Sequence, residues 1–315
     1  MKQFLSIEDV PDLDALLQKA FEIKAYQHTK RALGRNKSIG LIFLNPSLRT
    51  RISSQRAAMN LGLDVVLFDV NKSGWKLEFG DGMVMDGDSS EHVIEAAGVL
   101  GQFFDILAIR SFAELKNREE DYSEKVINAF VDNAGIPIIN MESATGHPLQ
   151  AFADLITIKD FQSKKRPKVV LSWAPHPKVL PQAVANSFVR WMKVSDVNLV
   201  VTNPTGYDLP VQVMEGVHFE SDQSKALEEA DFVYAKNWSS YSNYGQILTT
   251  DSSWMITQLK MALTNQGKFM HCLPVRRNVV VEDQVLDSSA SIVLEQAANR
   301  IISMQTVLQS IIEAG

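Results

Sequence analysis

Phe43-Leu44-Asn45-Pro46-Ser47-Leu48-Arg49-Thr50-Arg51 is the stretch on which the fold turns, because an apolar run that begins at Ser38 stops there and a segment of helical period begins. A buried strand that feeds straight into a helix gathers hydroxyls, backbone N–H groups and a guanidinium at a helix N-terminus, where the dipole and unpaired donors favour an anion. Ser47 would cap such a helix in any protein. A phosphate site is the sharper expectation, and it gains weight from what the chain places at its other strand ends.

On either side of this stretch, short apolar runs bounded by turn residues alternate with longer helical segments, the pattern of a parallel sheet wrapped by helices. In the first half, strands are expected over 38–44, 63–69, 105–110 and 136–141, with helices over 50–61, 91–103 and 122–133. The second half repeats this with strands over 168–173, 197–202, 231–235 and 268–272 and helices over 148–159, 181–192, 224–229 and 252–263. The ends, 13–33 and 294–314, carry helical spacing with no strand attached. Ser143-Ala144-Thr145-Gly146 breaks the periodicity, which sets the lobe boundary between 143 and 144. The expected class is therefore α/β: two doubly wound parallel-sheet lobes with a cleft between them. Two polar loops, over 71–82 and 238–245, look too irregular for core and suit binding.

At 315 residues, the chain is long enough for two domains at roughly 100 to 200 residues each. With 31 Lys+Arg against 37 Asp+Glu the net charge is -6, which lacks the long-range positive field that polyanions need. No nucleic-acid partner is expected, although one local basic pocket is compatible with that balance. No apolar run approaches the ~18 residues of a membrane span, so no membrane partner is expected either. A single cysteine, Cys272, excludes an internal disulfide and suits a reducing cytoplasm.

Dinucleotide, Walker-type, zinc-protease and nucleophile-elbow motifs are absent from the sequence. In their place stand three further groups at strand ends. Arg110 closes the strand expected over 105–110; His147-Pro148-Leu149-Gln150 opens a helix after a strand, with Asp154 one turn on; and His271-Cys272-Leu273-Pro274 closes the last strand before Arg276 and Arg277. Ligands of open α/β sheets bind at such carboxyl ends.

Through S-x-R-T-R, the strand-end Arg110, H-P-x-Q and F-M-H-C-L-P, the chain resembles the aspartate and ornithine carbamoyltransferase family over essentially its whole length, including Asn299-Arg300 on the last helix. The resemblance implies a first domain over 1–143 that binds carbamoyl phosphate and takes back the C-terminal helix over 294–315. It implies a second over 144–293 that binds the amine acceptor, and a homotrimer with shared active sites. It implies that Ser47, Leu48 (through its backbone), Arg49 and Thr50 hold phosphate, that Arg110, His147, Gln150 and Arg300 surround the carbamoyl group, and that Cys272 and Leu273 offer backbone carbonyls to the attacking amine. Arg49, Arg110, His147, Gln150, Cys272 and Arg300 are then the catalytic set. No metal and no cofactor is required, since fixed donors can stabilise the developing oxyanion.

The acceptor is read from departures. Ornithine enzymes of the family carry an aspartate and a Ser-Met-Gly loop after the strand over 231–235, whereas here the chain continues Lys236-Asn237-Trp238-Ser239. A lysine facing an α-ammonium is a like-charge contact, while an Nα-acylated ornithine offers only a carboxylate, which Lys236 and Arg276 suit. Trp75, Glu142 and His176 complete the expected acylornithine set with Lys236, Cys272, Leu273 and Arg276, by resemblance to the acylornithine branch. Ser90, neutral where acetyl-type members carry glutamate and succinyl-type members proline, favours N-succinylornithine, with N-acetylornithine as the alternative. A non-catalytic anion-binding protein on the same fold is the reading from a different class.

Overall fold

The computed structural model describes residues 1–70, 75–80 and 82–315. Asn71 to Gly74 and Asp81, all within the polar loop expected over 71–82, lie outside the described residues. The chain divides into two compact units, one of Met1–Glu114, Glu119–Leu149 and Arg300–Gly315, the other of Leu115–Arg118 and Gln150–Asn299.

In the first unit, α1 (Leu13–Ala25) precedes β1 (Ser38–Phe43), α2 (Leu48–Leu61) and β2 (Asp64–Asp69). The short β3 (Leu77–Glu78) and β4 (Glu91–His92) pair with each other ahead of α3 (Val93–Phe103) and β5 (Ile106–Arg110). The segments α4 (Arg118–Tyr122) and α5 (Lys125–Asn133) then lead to β6 (Ile138–Glu142). The sheet runs β2-β1-β5-β6 and every pairing in it is parallel. Both faces of β1 and β5 are covered, which is why their sequences, SIGLIF and ILAIR, are almost unbroken apolar runs. Gly62 ends α2 at φ +82, where a Cβ would meet the Arg31 carbonyl oxygen at 2.0 Å.

The second unit takes most of α6 (Pro148–Phe161), then β7 (Lys168–Trp173), α7 (Ala183–Lys193), β8 (Asn198–Thr202), α8 (Val211–Met214), β9 (His218–Phe219) and α9 (Gln223–Leu227). It continues through β10 (Phe232–Lys236), α10 (Gln258–Met261), β11 (Lys268–Met270), α11 (Asp283–Leu286) and the start of α12 (Val293–Ile312), whose remainder belongs to the first unit. Its sheet, β11-β10-β7-β8-β9, is also parallel throughout.

Three local expectations are corrected. Helical spacing over 13–33 yields a helix only to Ala25, after which the chain turns, Thr29 N–H bonding to Tyr26 O. The helix expected over 252–263 is a 3₁₀ turn at Ser252–Trp254 and the short α10. Between them Ile256, fully buried, is held extended by backbone bonds to Val280 and Glu282. The segment over 238–245 is not all surface: Trp238 is fully buried, its Nε1 donating to Tyr207 O at 2.7 Å. Among the described residues no helix is long and apolar enough to cross a membrane.

Candidate active site

In the first unit, β1 is followed by β2 on one side, and β5 and β6 are added on the other, so the order reverses between β1 and β5. The crevice outside the carboxyl ends of those strands is where such sheets take ligands. Phe43 ends β1 opposite Arg110, the last residue of β5, and Arg110 faces Glu142, the last of β6. Immediately after β1, Ser47 caps α2, its Oγ accepting from Thr50 N at 3.3 Å.

Thr50 is the meeting point of this half. Its buried Oγ1 accepts from Arg110 Nη1 at 3.3 Å and from Arg300 Nη2, brought by α12, at 2.7 Å. Arg110 also pairs with Glu142, and Glu142 Oε2 lies 3.3 Å from His147 Nε2. Arg110, Glu142, His147 and Arg300 are all buried. Two guanidiniums, one carboxylate and one imidazole are thus gathered in a buried cluster around Thr50.

The S-x-R-T-R residues split by role. Arg51 pairs with Asp69 and lies over the Phe43 ring at 4.8 Å, so it braces β1, β2 and α2. Arg49, half-buried, forms no ion pair among the described residues. The Leu48 side chain is 66% exposed, so only its backbone N–H, in the first turn of α2, has a part to offer. Trp75 is engaged elsewhere: its Nε1 donates to Glu91 Oε2 at 2.8 Å and its ring packs on Phe68.

The second unit repeats the logic, its order reversing between β7 and β10. Trp173 ends β7 opposite Lys236, the last residue of β10. Lys236 is 8% exposed, with no acidic partner among the described residues. His176 follows β7. Its Nε2 accepts from Arg276 Nε at 3.0 Å, and its Nδ1 lies 3.0 Å from Lys178 O and 3.1 Å from Lys178 N. Burial, and then the charges of Lys236, Arg276 and Lys178, hold this imidazole below its ordinary range against the Lys178 backbone bond. Arg277 differs from Arg276: it is tied to Asp283 and Asp287, which raise its already high pKa further.

After β11, Leu273 adopts φ +52 while its N–H donates to His271 Nδ1 at 3.0 Å, and the Leu273-Pro274 bond is cis. Cys272, at the same turn, is half-buried and forms no disulfide. Gln150 is buried in the first turn of α6. The division between units falls inside H-P-x-Q, with His147 on one side and Gln150 on the other. Among the described residues no group of three or more His, Cys, Asp or Glu side chains is arranged to hold a metal ion.

Residues 2–160 match the family model for the aspartate/ornithine carbamoyltransferase carbamoyl-P binding domain, and residues 181–311 match that for the Asp/Orn binding domain. The chain belongs to the aspartate/ornithine carbamoyltransferase family. It is a carbamoyltransferase, and 99% of it is similar, at 51% identity, to 99% of the N-succinylornithine carbamoyltransferase of Bacteroides fragilis. The N-acetylornithine carbamoyltransferase of Xanthomonas axonopodis pv. citri is 34% identical, the match covering 99% of this chain and 96% of that one. Among solved structures, acetylornithine transcarbamylase complexed with acetylcitrulline has a TM-score of 0.92 at 34% identity, covering 99% of both chains. A glutamate-to-serine mutant of N-acetyl-L-ornithine transcarbamylase, complexed with carbamyl phosphate and N-succinyl-L-norvaline, also has a TM-score of 0.92 at 34% identity, covering 99% of this chain and 100% of that one.

Two supports of the buried cluster around Thr50 escape the sequence reading. Glu142 is expected only as an acceptor contact, and its pairing with Arg110 and His147 shows only once β5 and β6 are side by side. Glu124 braces the turn before His147, its Oε1 accepting from Ser143 Oγ at 2.7 Å and Thr145 N at 2.8 Å. No motif marks it.

Proposed function

We propose that this carbamoyltransferase moves the carbamoyl group of carbamoyl phosphate to the δ-amine of N-succinyl-L-ornithine, giving N-succinyl-L-citrulline and phosphate. The observation that carries the acceptor is Lys236, a buried ammonium without an acidic partner among the described residues, beside a neutral His176 that holds Arg276. Burying a lone ammonium is costly, and an acceptor carboxylate offsets that cost, whereas the α-ammonium of free ornithine would add to it. The 51% identical relative named for N-succinylornithine supports the choice. So does the neighbour in which glutamate is replaced by serine and N-succinyl-L-norvaline is bound, because this chain carries Ser90 where the acetyl-type glutamate is expected.

In this reading Ser47, the Leu48 N–H, Arg49 and Thr50 hold the phosphate, while Arg110, His147, Gln150 and Arg300 surround the carbamoyl group. Trp75, Glu142, His176, Lys236, Arg276 and the Cys272 and Leu273 carbonyls receive the acylornithine. The uncharged δ-amine attacks the carbonyl carbon, the C–N bond forms, and charge collects on the carbonyl oxygen before the C–O bond to phosphate breaks. Phosphate leaves with the bonding pair and the nitrogen sheds a proton. Fixed cationic donors at that oxygen contribute roughly 10²- to 10³-fold each. The Cys272 thiol plays no covalent part. Assembly as a homotrimer with shared sites belongs to the same proposal on the strength of the family resemblance, as does residence in a reducing cytoplasm, which a single cysteine suits.

N-Acetylornithine is the second reading, favoured by the acidic surroundings of Ser90, where Glu78, held ionised by the Gly80 and Phe79 N–H groups, would repel a second carboxylate. Citrulline formation measured side by side with N-succinylornithine, N-acetylornithine and ornithine decides between them. The highest kcat/KM is expected with the succinyl compound. Faster turnover of free ornithine would refute the role given to Lys236.

A further inference from the structure

Asp154 is a buried acid that the transfer reaction, as described, leaves unused. It lies on α6 one turn after Gln150 and is fully buried. A single oxygen, Oδ1, accepts from Gln150 Nε2 and from Gln296 Nε2, each at 2.7 Å. Gln296, on α12 and also fully buried, accepts at its Oε1 the backbone N–H of His271 at 2.9 Å. His271 opens the turn that presents Cys272 and Leu273, and its Nδ1 takes the Leu273 N–H. The Tyr234 phenol of β10 stands against Asp154 and Cys272; burial, with those two neighbours, pushes its ionisation well above the usual range and keeps it protonated.

We propose that Asp154 is a positioning residue for carbamoyl transfer: its carboxylate fixes which end of the Gln150 amide meets the carbamoyl group and, through Gln296, ties that amide to the Cys272-Leu273 turn. This rests on the reading that Gln150 contacts the carbamoyl group. A carboxylate only accepts hydrogen bonds, so it selects the NH₂ end of each glutamine and turns the Oε1 of Gln150 away from itself. The carbamoyl –NH₂ is a donor, and an oriented Oε1 is what it needs. Rotating the Gln150 amide end for end would set oxygen lone pairs against the carboxylate. The same acid therefore sets the amide that receives the carbamoyl nitrogen and the turn whose carbonyls receive the attacking amine, and all of these groups lie within the second unit.

The test uses the full chain with Asp154→Asn and Gln150→Ala, singly and combined, after thermal melting has shown each to be folded. Asparagine keeps the size and one acceptor oxygen but can present its own NH₂, so the amide of Gln150 loses its enforced orientation. Asp154→Asn is expected to lower kcat about 10- to 100-fold with the KM for N-succinylornithine within about threefold, and to cost a clearly smaller factor once Gln150 is alanine, because only the leg through Gln296 then remains. An equal fold-loss in both backgrounds overturns positioning through Gln150. A Gln150→Ala enzyme of full activity overturns instead the assignment of Gln150 on which the inference stands. Gln296→Met, which leaves Asp154 and Gln150 intact, checks the second leg should Asp154→Asn not fold: unchanged kcat there overturns the tie to the turn.

Discussion

His176 shows how one side chain's protonation state sets what the acceptor half can bind. Its Nε2 is the acceptor for Arg276 Nε, a bond that exists only while the imidazole is neutral. Burial and the neighbouring cations hold its pKa below the ordinary 6.5, so a proton binds the folded residue less readily than the free one. The neutral form, and with it the held Arg276, is therefore fully present above pH 6.5 and is lost as pH falls through the depressed folded value. KM for N-succinylornithine should be flat from pH 8 down to about 6.5 and should rise in more acid solution. A KM for the acceptor that stays flat to the acid limit of folding would remove His176 from that role. At this scale the sequence was informative wherever a residue type sat at or just after a predicted strand end: Arg110 and Lys236 close their strands, and Ser47 and Thr50 open the helix that follows β1. It was silent on Glu142 and Glu124 as braces, because their partners are set by strand pairing and a turn rather than by local spacing.

At the scale of the element, α2 combines two functions in one N-terminus, and they can be separated. Ser47 accepts from Thr50 N, and replacing such a cap by alanine costs ~1 kcal/mol of stability. Ser47→Ala should therefore lower the urea midpoint. Aspartate caps as well as serine, so Ser47→Asp should leave that midpoint close to wild type. Its charge would nevertheless face the phosphate, at a cost of ~1 to 4 kcal/mol for charges about 4 Å apart, and carbamoyl-phosphate affinity should fall about five- to several-hundredfold. Parallel loss of stability and affinity in both variants would mean that Ser47 acts only as a cap. The strands were legible because a parallel sheet buried on both faces writes continuous apolar runs. The helix expected over 252–263 was not, because the buried Ile256 satisfies its backbone with Val280 and Glu282, a tertiary pairing that overrides local periodicity. The two-residue β9 is too short to leave any pattern.

Over the whole molecule, the acidic balance and the anion chemistry are reconciled by position. A net charge of -6 coexists with a buried group in which Arg110 and Arg300 meet at Thr50 and with a half-buried Arg49 that has no ion-pair partner among the described residues. Each unit has its own apolar core, one around Ile42, Leu107 and Phe130 and the other around Val170, Val233 and Phe269. The break at Ser143 to Gly146 signalled two units in the sequence. The return of the C-terminal helix was expected only through the family resemblance, and its division at Asn299 and Arg300 was not readable, since an uninterrupted helical repeat carries no mark of which core it serves. A phosphate-bearing ligand that binds only the folded chain should stabilise the fold by mass action. At a ligand concentration 100 times Kd the gain is ~2.7 kcal/mol, which for a unit of this size is a rise of several degrees in melting temperature. Arg49→Ala removes one charge-assisted contact, worth ~1.5 to 3 kcal/mol, so it should weaken carbamoyl phosphate about 10- to 150-fold. The unliganded melting temperature should stay near wild type, because Arg49 makes no ion pair among the described residues. Thermal melts of both proteins, with and without carbamoyl phosphate at one fixed concentration, separate the cases. A wild-type shift that Arg49→Ala retains in full would place the phosphate elsewhere, whereas a shift lost without change in the unliganded melt assigns Arg49 to the ligand and not to the fold.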